Sequence, residues 1–275
     1  MALEVLTLEP DRPAAGPPVL FVHGSWHGAW CWRERWMPHF AEHGHTVHAV
    51  SLRGHGGSPG TYRGAHILDY VADAGSVADG LQVKPILAGH SLGGRIVQHL
   101  LAASAYPAAV LVAPIPTGGA FQASMLRRLA ASPVDVLRLV LEVLVSRDAG
   151  AMVGTPARAR YALFSADLRD EEVRRHCERL QGDSLAVHWE VMRPAPLPPR
   201  GATPLLLLAA GRDALFPVAA QAASARALGA DFEVVPGSGH DIMLDVAWRE
   251  GARLVLDWLA RAGSSRAPGG ILPLE

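Results

Sequence analysis

Residues 85–101 read Pro85-Ile86-Leu87-Ala88-Gly89-His90-Ser91-Leu92-Gly93-Gly94-Arg95-Ile96-Val97-Gln98-His99-Leu100-Leu101, and the reading of this stretch decides the fold. An apolar run of strand length, 85–88, ends in Gly89. Apolar residues then recur at helical spacing, at Ile96, Val97, Leu100 and Leu101. Strand, sharp turn and helix are therefore contiguous, and the turn carries G-x-S-x-G. So tight a turn strains the backbone of its central residue, and glycines two positions to either side remove side chains that would clash. The Ser91 hydroxyl is thereby raised above the strand end, where the free N–H groups of the helix N-terminus also point. An ordinary glycine-rich turn shares the bare pattern; the strand before it and the amphipathic helix after it set this one apart.

The alternation continues outward from this turn. Residues 19–22, 46–52, 109–113, 205–209 and 232–235 are further short apolar runs, while 3–8 alternates less clearly, as an edge strand does. Most are apolar throughout, which suits central strands covered on both faces. Strands alternating with helices predict an α/β sheet wrapped by helices. The rhythm breaks at Pro114 and Pro116 and resumes after Pro194, Pro196, Pro198 and Pro199. Between them the patterns are helical. Residues 134–145 are apolar except for a narrow stripe of Asp135, Arg138 and Glu142, and 169–180 is strongly charged. We read 116–199 as a helical insertion between two strands of a core made of 1–115 and 200–262. A last helix is expected over 248–259, and 263–275 reads as a loose tail. Internal repeats are not evident.

Composition narrows the function. In 275 residues, 49% hydrophobic and 19% charged, there is apolar material for a sizeable core, which excludes a disordered chain. A formal net charge of −1 gives no pull toward nucleic acid or anionic lipid. No apolar run reaches the roughly 20 residues that span a bilayer, so no stable membrane insertion is expected. Cys31 and Cys177 are too few for a disulfide scaffold. Residues 1–9 lack the basic start of a secretory signal, and a reduced, cytoplasmic chain is expected. His176-Cys177 and the pair His43/His45 lack zinc spacing, so no metal is expected. The run Gly54-His55-Gly56-Gly57 has neither the G-K-[ST] of a phosphate loop nor a dinucleotide pattern. Nothing visible encodes the oligomeric state.

A serine hydroxyl is a weak nucleophile until a base takes its proton, and the base needs an acid to hold its tautomer. After the 205–209 run comes Gly211-Arg212-Asp213-Ala214-Leu215-Phe216-Pro217, an acid in a strand-end turn. After 232–235 comes Gly237-Ser238-Gly239-His240-Asp241, a histidine in another. Among 13 histidines, His240 is favoured by position and order. Asp213 has two competitors: Asp241, which would more naturally cap a following helix, and Asp245, read as structural. Residues 113–120 carry no carboxylate. An oxyanion requires donors: the backbone N–H of Leu92 is one, and that of Ser25, with Trp26 as the near competitor, is the other. His23 is expected to hold that loop by a hydrogen bond. Trp26, Trp30 and Trp32 are read mainly as core, with one ring lining a pocket.

Four motifs in order resemble the α/β-hydrolase fold family in its cap-bearing branch: His23-Gly24, Arg53-Gly54-His55-Gly56-Gly57-Ser58, the 89–94 turn, and Asp213 with His240. The resemblance covers residues 17–260 and implies a mostly parallel sheet of about eight strands, a helical cap at the insertion, and catalysis without a cofactor, usually on esters. The segment His23-Gly24-Ser25-Trp26-His27-Gly28-Ala29-Trp30-Cys31-Trp32 is similar to that of plant methylesterases and hydroxynitrile lyases. The lyases carry a lysine after the catalytic histidine, whereas Asp241 stands here and counts against cyanohydrin cleavage. Many family members also place an aspartate before the Arg-Gly-His-Gly run, where this chain has Ser51-Leu52.

The expected activity is hydrolysis of a small or medium hydrophobic carboxylic ester through Ser91, His240 and Asp213. Ser25 and Leu92 bind the oxyanion, and Trp26, Leu137 and Leu141 touch the substrate. The same three residues also serve on amides, thioesters or C–C bonds, or in acyl transfer, since fold does not fix the bond cleaved. Two other readings are a lipase active at interfaces and a ligand-binding receptor built on a hydrolase scaffold.

Overall fold

Short β-branched and leucine-rich runs become strands wherever the sequence places them: β1 (Val5–Leu8), β2 (Val19–Val22), β3 (Val47–Val50), β4 (Ile86–His90), β5 (Ala109–Val112), β6 (Leu205–Ala210) and β7 (Asp231–Val235). These strands belong to a computed structural model that describes residues 2–12, 16–117, 133–192 and 203–264. They form one sheet in the order β1-β3-β2-β4-β5-β6-β7. β1 runs antiparallel to β3 at one edge and every other pairing is parallel. This mostly parallel sheet wrapped by helices is the α/β architecture that the resemblance implies. The seven apolar runs are the seven strands, and among the described residues there is no eighth; that number came from the resemblance alone.

Side chains alternate between the two faces of each strand, so each face has its own core. Phe21 of β2 and Leu206 and Leu208 of β6 face Trp32, Trp36, Phe40 and Trp258. Leu20 and Val22 of β2 and Leu205 and Leu207 of β6 face Tyr70, Ile96, Val97 and Leu228. The first layer comes from short helices at Trp30–Arg33 and Trp36–Glu42 and from Trp248–Ser264; the second from Ile67–Gly80, Leu92–Ala103 and Val218–Leu228. The last helix passes its expected end at Leu259 and continues through Ser264, with no proline between them to remove a backbone donor. The remainder of the expected tail, from 265, lies outside the described residues.

Between β5 and β6 the described elements are all helical: Pro133–Ser146, a 3-10 turn at Ala149–Met152, Pro156–Leu163, Asp170–Cys177 and Leu185–Met192. The proline-rich close of this stretch, 194–199, lies outside the described residues. Polar anchors tie it to the core. The Trp26 indole N–H donates to Ala149 O at 3.1 Å, Gln181 N–H to Trp26 O at 2.8 Å, and Tyr70 O–H to the buried Asp183 carboxylate at 2.9 Å.

Parallel pairing sets β2, β4, β5, β6 and β7 pointing the same way, with Val22 opposite Gly89, His90 opposite Val112, and Ala210 opposite Val235. Their following loops therefore leave from one edge of the sheet, the usual place for a site in such folds.

Phe21 is the keystone of the first core: its ring stacks on Trp32 at 4.7 Å and meets Phe40 edge-on at 5.3 Å. Phe21→Ala is expected to destabilise the fold by about 3–5 kcal/mol. Urea unfolding would show it as a lower midpoint at unchanged slope.

Candidate active site

Ser91 follows β4 directly, with φ 51° and ψ −112°, a conformation that L-residues rarely hold. The strain is sustained by its surroundings. Ser91 N–H donates to Val112 O at 2.9 Å, at the end of the neighbouring strand, and Ser91 O accepts from Gly94 N–H at 3.0 Å. A Cβ on Gly89 would strike the Gly93 carbonyl, and one on Gly93 would strike the carbonyls of Val22 and His23. Glycine at both positions lets the helix Leu92–Ala103 start at once and pass close over the end of β2. Leu92 is the first helical residue, so its N–H is one of the unsatisfied donors at the dipole's positive end.

Asp213 and His240 arrive on the turns after β6 and β7. Those turns are stitched together by Arg212 N–H to Ser238 O and Gly211 N–H to Val235 O, both 2.8 Å. Asp213 Oδ1 accepts from the backbone N–H groups of Leu215 and Phe216 at 2.7 and 2.9 Å, which leaves Oδ2 to accept from His240 Nδ1–H at 2.8 Å. His240 is buried, and its Nε2 has no hydrogen-bond partner among the described residues. A ring that donates through Nδ1 presents a bare, basic Nε2. Burial alone would lower the pKa of His240. The Asp213 charge and hydrogen bond, with the charge of Asp241, outweigh that and raise it.

The loop after β2, residues 23–27, lies directly on this turn. His23 donates through Nδ1 to Gly24 O at 2.7 Å and accepts at Nε2 from Leu52 N–H at 3.0 Å, the loop-holding part expected of it. Its burial and the nearby His55 keep its pKa well down, which matches a neutral ring with one proton. Ser25 is buried, and Trp26 takes φ 68°. The N–H groups of both take no partner among the described residues.

The indole of Trp26 is buried against the insertion and lies 5.6 Å from the His188 ring. Leu137 and Leu141 stand 58% and 52% exposed on the helix Pro133–Ser146. Asp245 is structural: it accepts from Ser165 N–H, Ser165 Oγ–H and Gly239 N–H, and so fixes the approach to His240. Asp241 corrects an expectation. No helix starts there, since the next helix begins only at Trp248, and its buried carboxylate faces inward to His27. Sequence reasoning also missed His27 and His90 beside it. Nothing in their spacing signals the cluster, because His27 and Asp241 are 214 residues apart. Cys31 is buried and Cys177 half-buried, and both are free thiols. Among the described residues no helix is long and apolar enough to cross a membrane.

A family profile described as "Alpha/beta hydrolase family" matches residues 19–254. No curated protein matches the chain in sequence. Similar solved structures include a monoacylglycerol lipase from Paleococcus ferrophilus, with TM-score 0.68 and 21% identity over 95% of this chain and 100% of that one. A thermophilic esterase from Thermogutta terrifontis gives TM-score 0.71 and 19% identity over 94% of each chain. Polyneuridine aldehyde esterase gives TM-score 0.65 and 18% identity over 88% of this chain and 99% of that one. At such identities the likeness is one of fold.

The titration of His240 provides a check that needs no substrate. Asp213, Asp241 and the neutral His90 are the titratable groups facing its ring. Its midpoint should lie above the ordinary value of about 6.5 and fall in Asp213→Asn, as read by imidazole NMR.

Proposed function

The chain belongs to the alpha/beta hydrolase family, and from that premise we propose that it is a serine esterase acting on small or medium hydrophobic carboxylic esters. One observation carries the reading: a backbone-strained serine at a helix N-terminus shares one sheet edge with a buried Asp213–His240 pair whose Nε2 is bare. The esterase and lipase folds among the similar structures support the ester as electrophile.

Nε2 of His240 takes the Ser91 proton as Oγ attacks the carbonyl carbon. Asp213 holds the ring in the tautomer this requires and stabilises the imidazolium that forms. Negative charge developing on the carbonyl oxygen is met by the N–H groups of Leu92 and Ser25, which are rigid before the substrate arrives. Trp26 N–H is the alternative second donor. The imidazolium then protonates the departing alcohol, and water activated by the same Nε2 releases the acid from Ser91.

The helical insertion serves as the cap over this edge, with core segments 1–115 and 200–262 beneath it. Trp26 and the helix carrying Leu137 and Leu141 supply its apolar contacts. Two unpaired thiols suit a reducing, cytoplasmic setting.

A fluorophosphonate should add once to the wild type, by intact mass, and not to Ser91→Ala. Absence of an adduct on folded wild type would overturn the reading. Asp213→Asn should lower kcat by about 10³–10⁴-fold, because its amide favours the wrong tautomer. Activity requires neutral His240, whose pKa is raised. The acid limb of kcat/KM should therefore fall at a pH above the ordinary histidine value of about 6.5.

A further inference from the structure

Behind the Asp213–His240 pair lies a second buried carboxylate that the mechanism does not use. Asp241 is fully buried, next in sequence to His240, and its Oδ2 lies 3.0 Å from His27 Nε2. The other nitrogen of His27, Nδ1, lies 2.7 Å from Ser25 O. A carbonyl and an ionised carboxylate both only accept, so each ring nitrogen of His27 is placed to donate. Burial would raise the pKa of Asp241, but the charge and hydrogen bond of His27 outweigh it and hold the group ionised. His90, the residue before Ser91, completes the cluster. Its Nε2–H donates to His240 O at 3.2 Å and lies 3.6 Å from Asp241 Oδ1. Burial first, then the charges of His240 and His27, push the His90 pKa down to about 3, so its ring is neutral.

These contacts join three loops that the sequence keeps far apart: 23–27 after β2, the Ser91 turn after β4, and 236–245 after β7. We propose that Asp241 and His27 form a positioning clamp, which aims the oxyanion loop by holding the Ser25 carbonyl while fixing the backbone of the catalytic histidine. The proposal rests on the esterase reading above. Its physical basis is the rigidity of a peptide unit. Ser25 O and Trp26 N–H belong to one plane, so a bond that pins the carbonyl also sets the direction of that N–H, the alternative second oxyanion donor. Gly24 shows how little slack exists: a Cβ there would lie 2.8 Å from His90 Nδ1 and 3.0 Å from Ser91 Cβ. Donors misplaced by an ångström lose most of their worth in a transition state.

Asn at 241 separates charge from geometry. Its amide can donate to a bare His27 Nε2 while Nδ1–H still reaches Ser25 O; Ala offers Nε2 no partner and so leaves the ring unanchored on that side. Asp241→Ala should lower kcat, counted per fluorophosphonate-titrated serine, by about 10²-fold with little change in KM. Asp241→Asn should recover most of that loss. With the Asp241 charge gone, the acid limb set by His240 should also move to lower pH in Asp241→Asn. Groups facing His240 in that variant are Asp213 and His90, neither of which is altered.

Imidazole NMR at neutral pH provides a reading independent of turnover: His27 protonated on both nitrogens in the wild type, and on Nδ1 alone in Asp241→Asn. If Asp241→Ala does not fold, the Asp241→Asn limb and the His27 spectrum carry the test. A singly protonated His27 in the wild type overturns the clamp. So does an Asp241→Ala enzyme with normal kcat per titrated serine, or an Asp241→Asn acid limb that has not moved. Failure of the esterase reading looks different: the wild type itself takes no adduct, and His27 still decides the pair.

Discussion

The backbone at Ser91 is held where an L-residue does not willingly stay, and much of the molecule is arranged to hold it there. β4 lies in the middle of the sheet, its neighbour β5 accepts the Ser91 N–H at 2.9 Å, and Ser91 alone connects β4 to helix Leu92–Ala103. That immediate start brings the helix N-terminus, with its unpaired donors, to the same point as the hydroxyl. It also drives the helix so close to β4 and to the end of β2 that Gly89 and Gly93 can carry no side chain. Strain of this kind persists only where the surrounding structure over-determines it. Parallel pairing on both sides of β4 and apolar layers on both faces of the sheet supply that constraint.

The electrostatics follow from burial. His240 is out of water, and an imidazolium there would be costly without compensation. Two carboxylates supply it: Asp213 by a direct hydrogen bond and Asp241 by its charge. Each carboxylate has its own partners in turn. Asp213 is held by two backbone N–H groups and Asp241 lies against His27, so neither buried carboxylate lacks a hydrogen-bond partner. Asp245 does comparable work one turn away, binding the insertion at Ser165 to the approach of the histidine loop at Gly239.

Much of this was legible along the chain. The strands were readable because a strand buried on both faces is apolar throughout, and the run 85–101 displays strand, turn and helix in succession. Asp213 was separable from its neighbours because it lies in a strand-end turn of its own. The reading failed at Asp241. A polar residue beside a turn looks like a helix cap, and only its burial against His27 shows otherwise. The expected end of the last helix, Leu259, falls short of the observed Ser264, since one glycine, Gly263, weakens a helix without ending it. The lining assigned to Leu137 and Leu141 rested on an apolar stripe, and a stripe records a face without saying what the face meets.

What the sequence determined by itself is therefore everything that depends on local spacing: where strands form, where the glycines allow the Ser91 turn, and which acid and histidine follow it. These are properties of a few neighbouring residues, and their physics is complete within a window of ten or so. The tertiary structure decided which distant groups meet. It paired Asp213 with His240, turned Asp241 toward His27, and tied Trp26 to Ala149. The reason lies in the sheet. Parallel strands in register carry the ends of segments far apart in sequence to one edge, and no pattern along the chain records the distances across it.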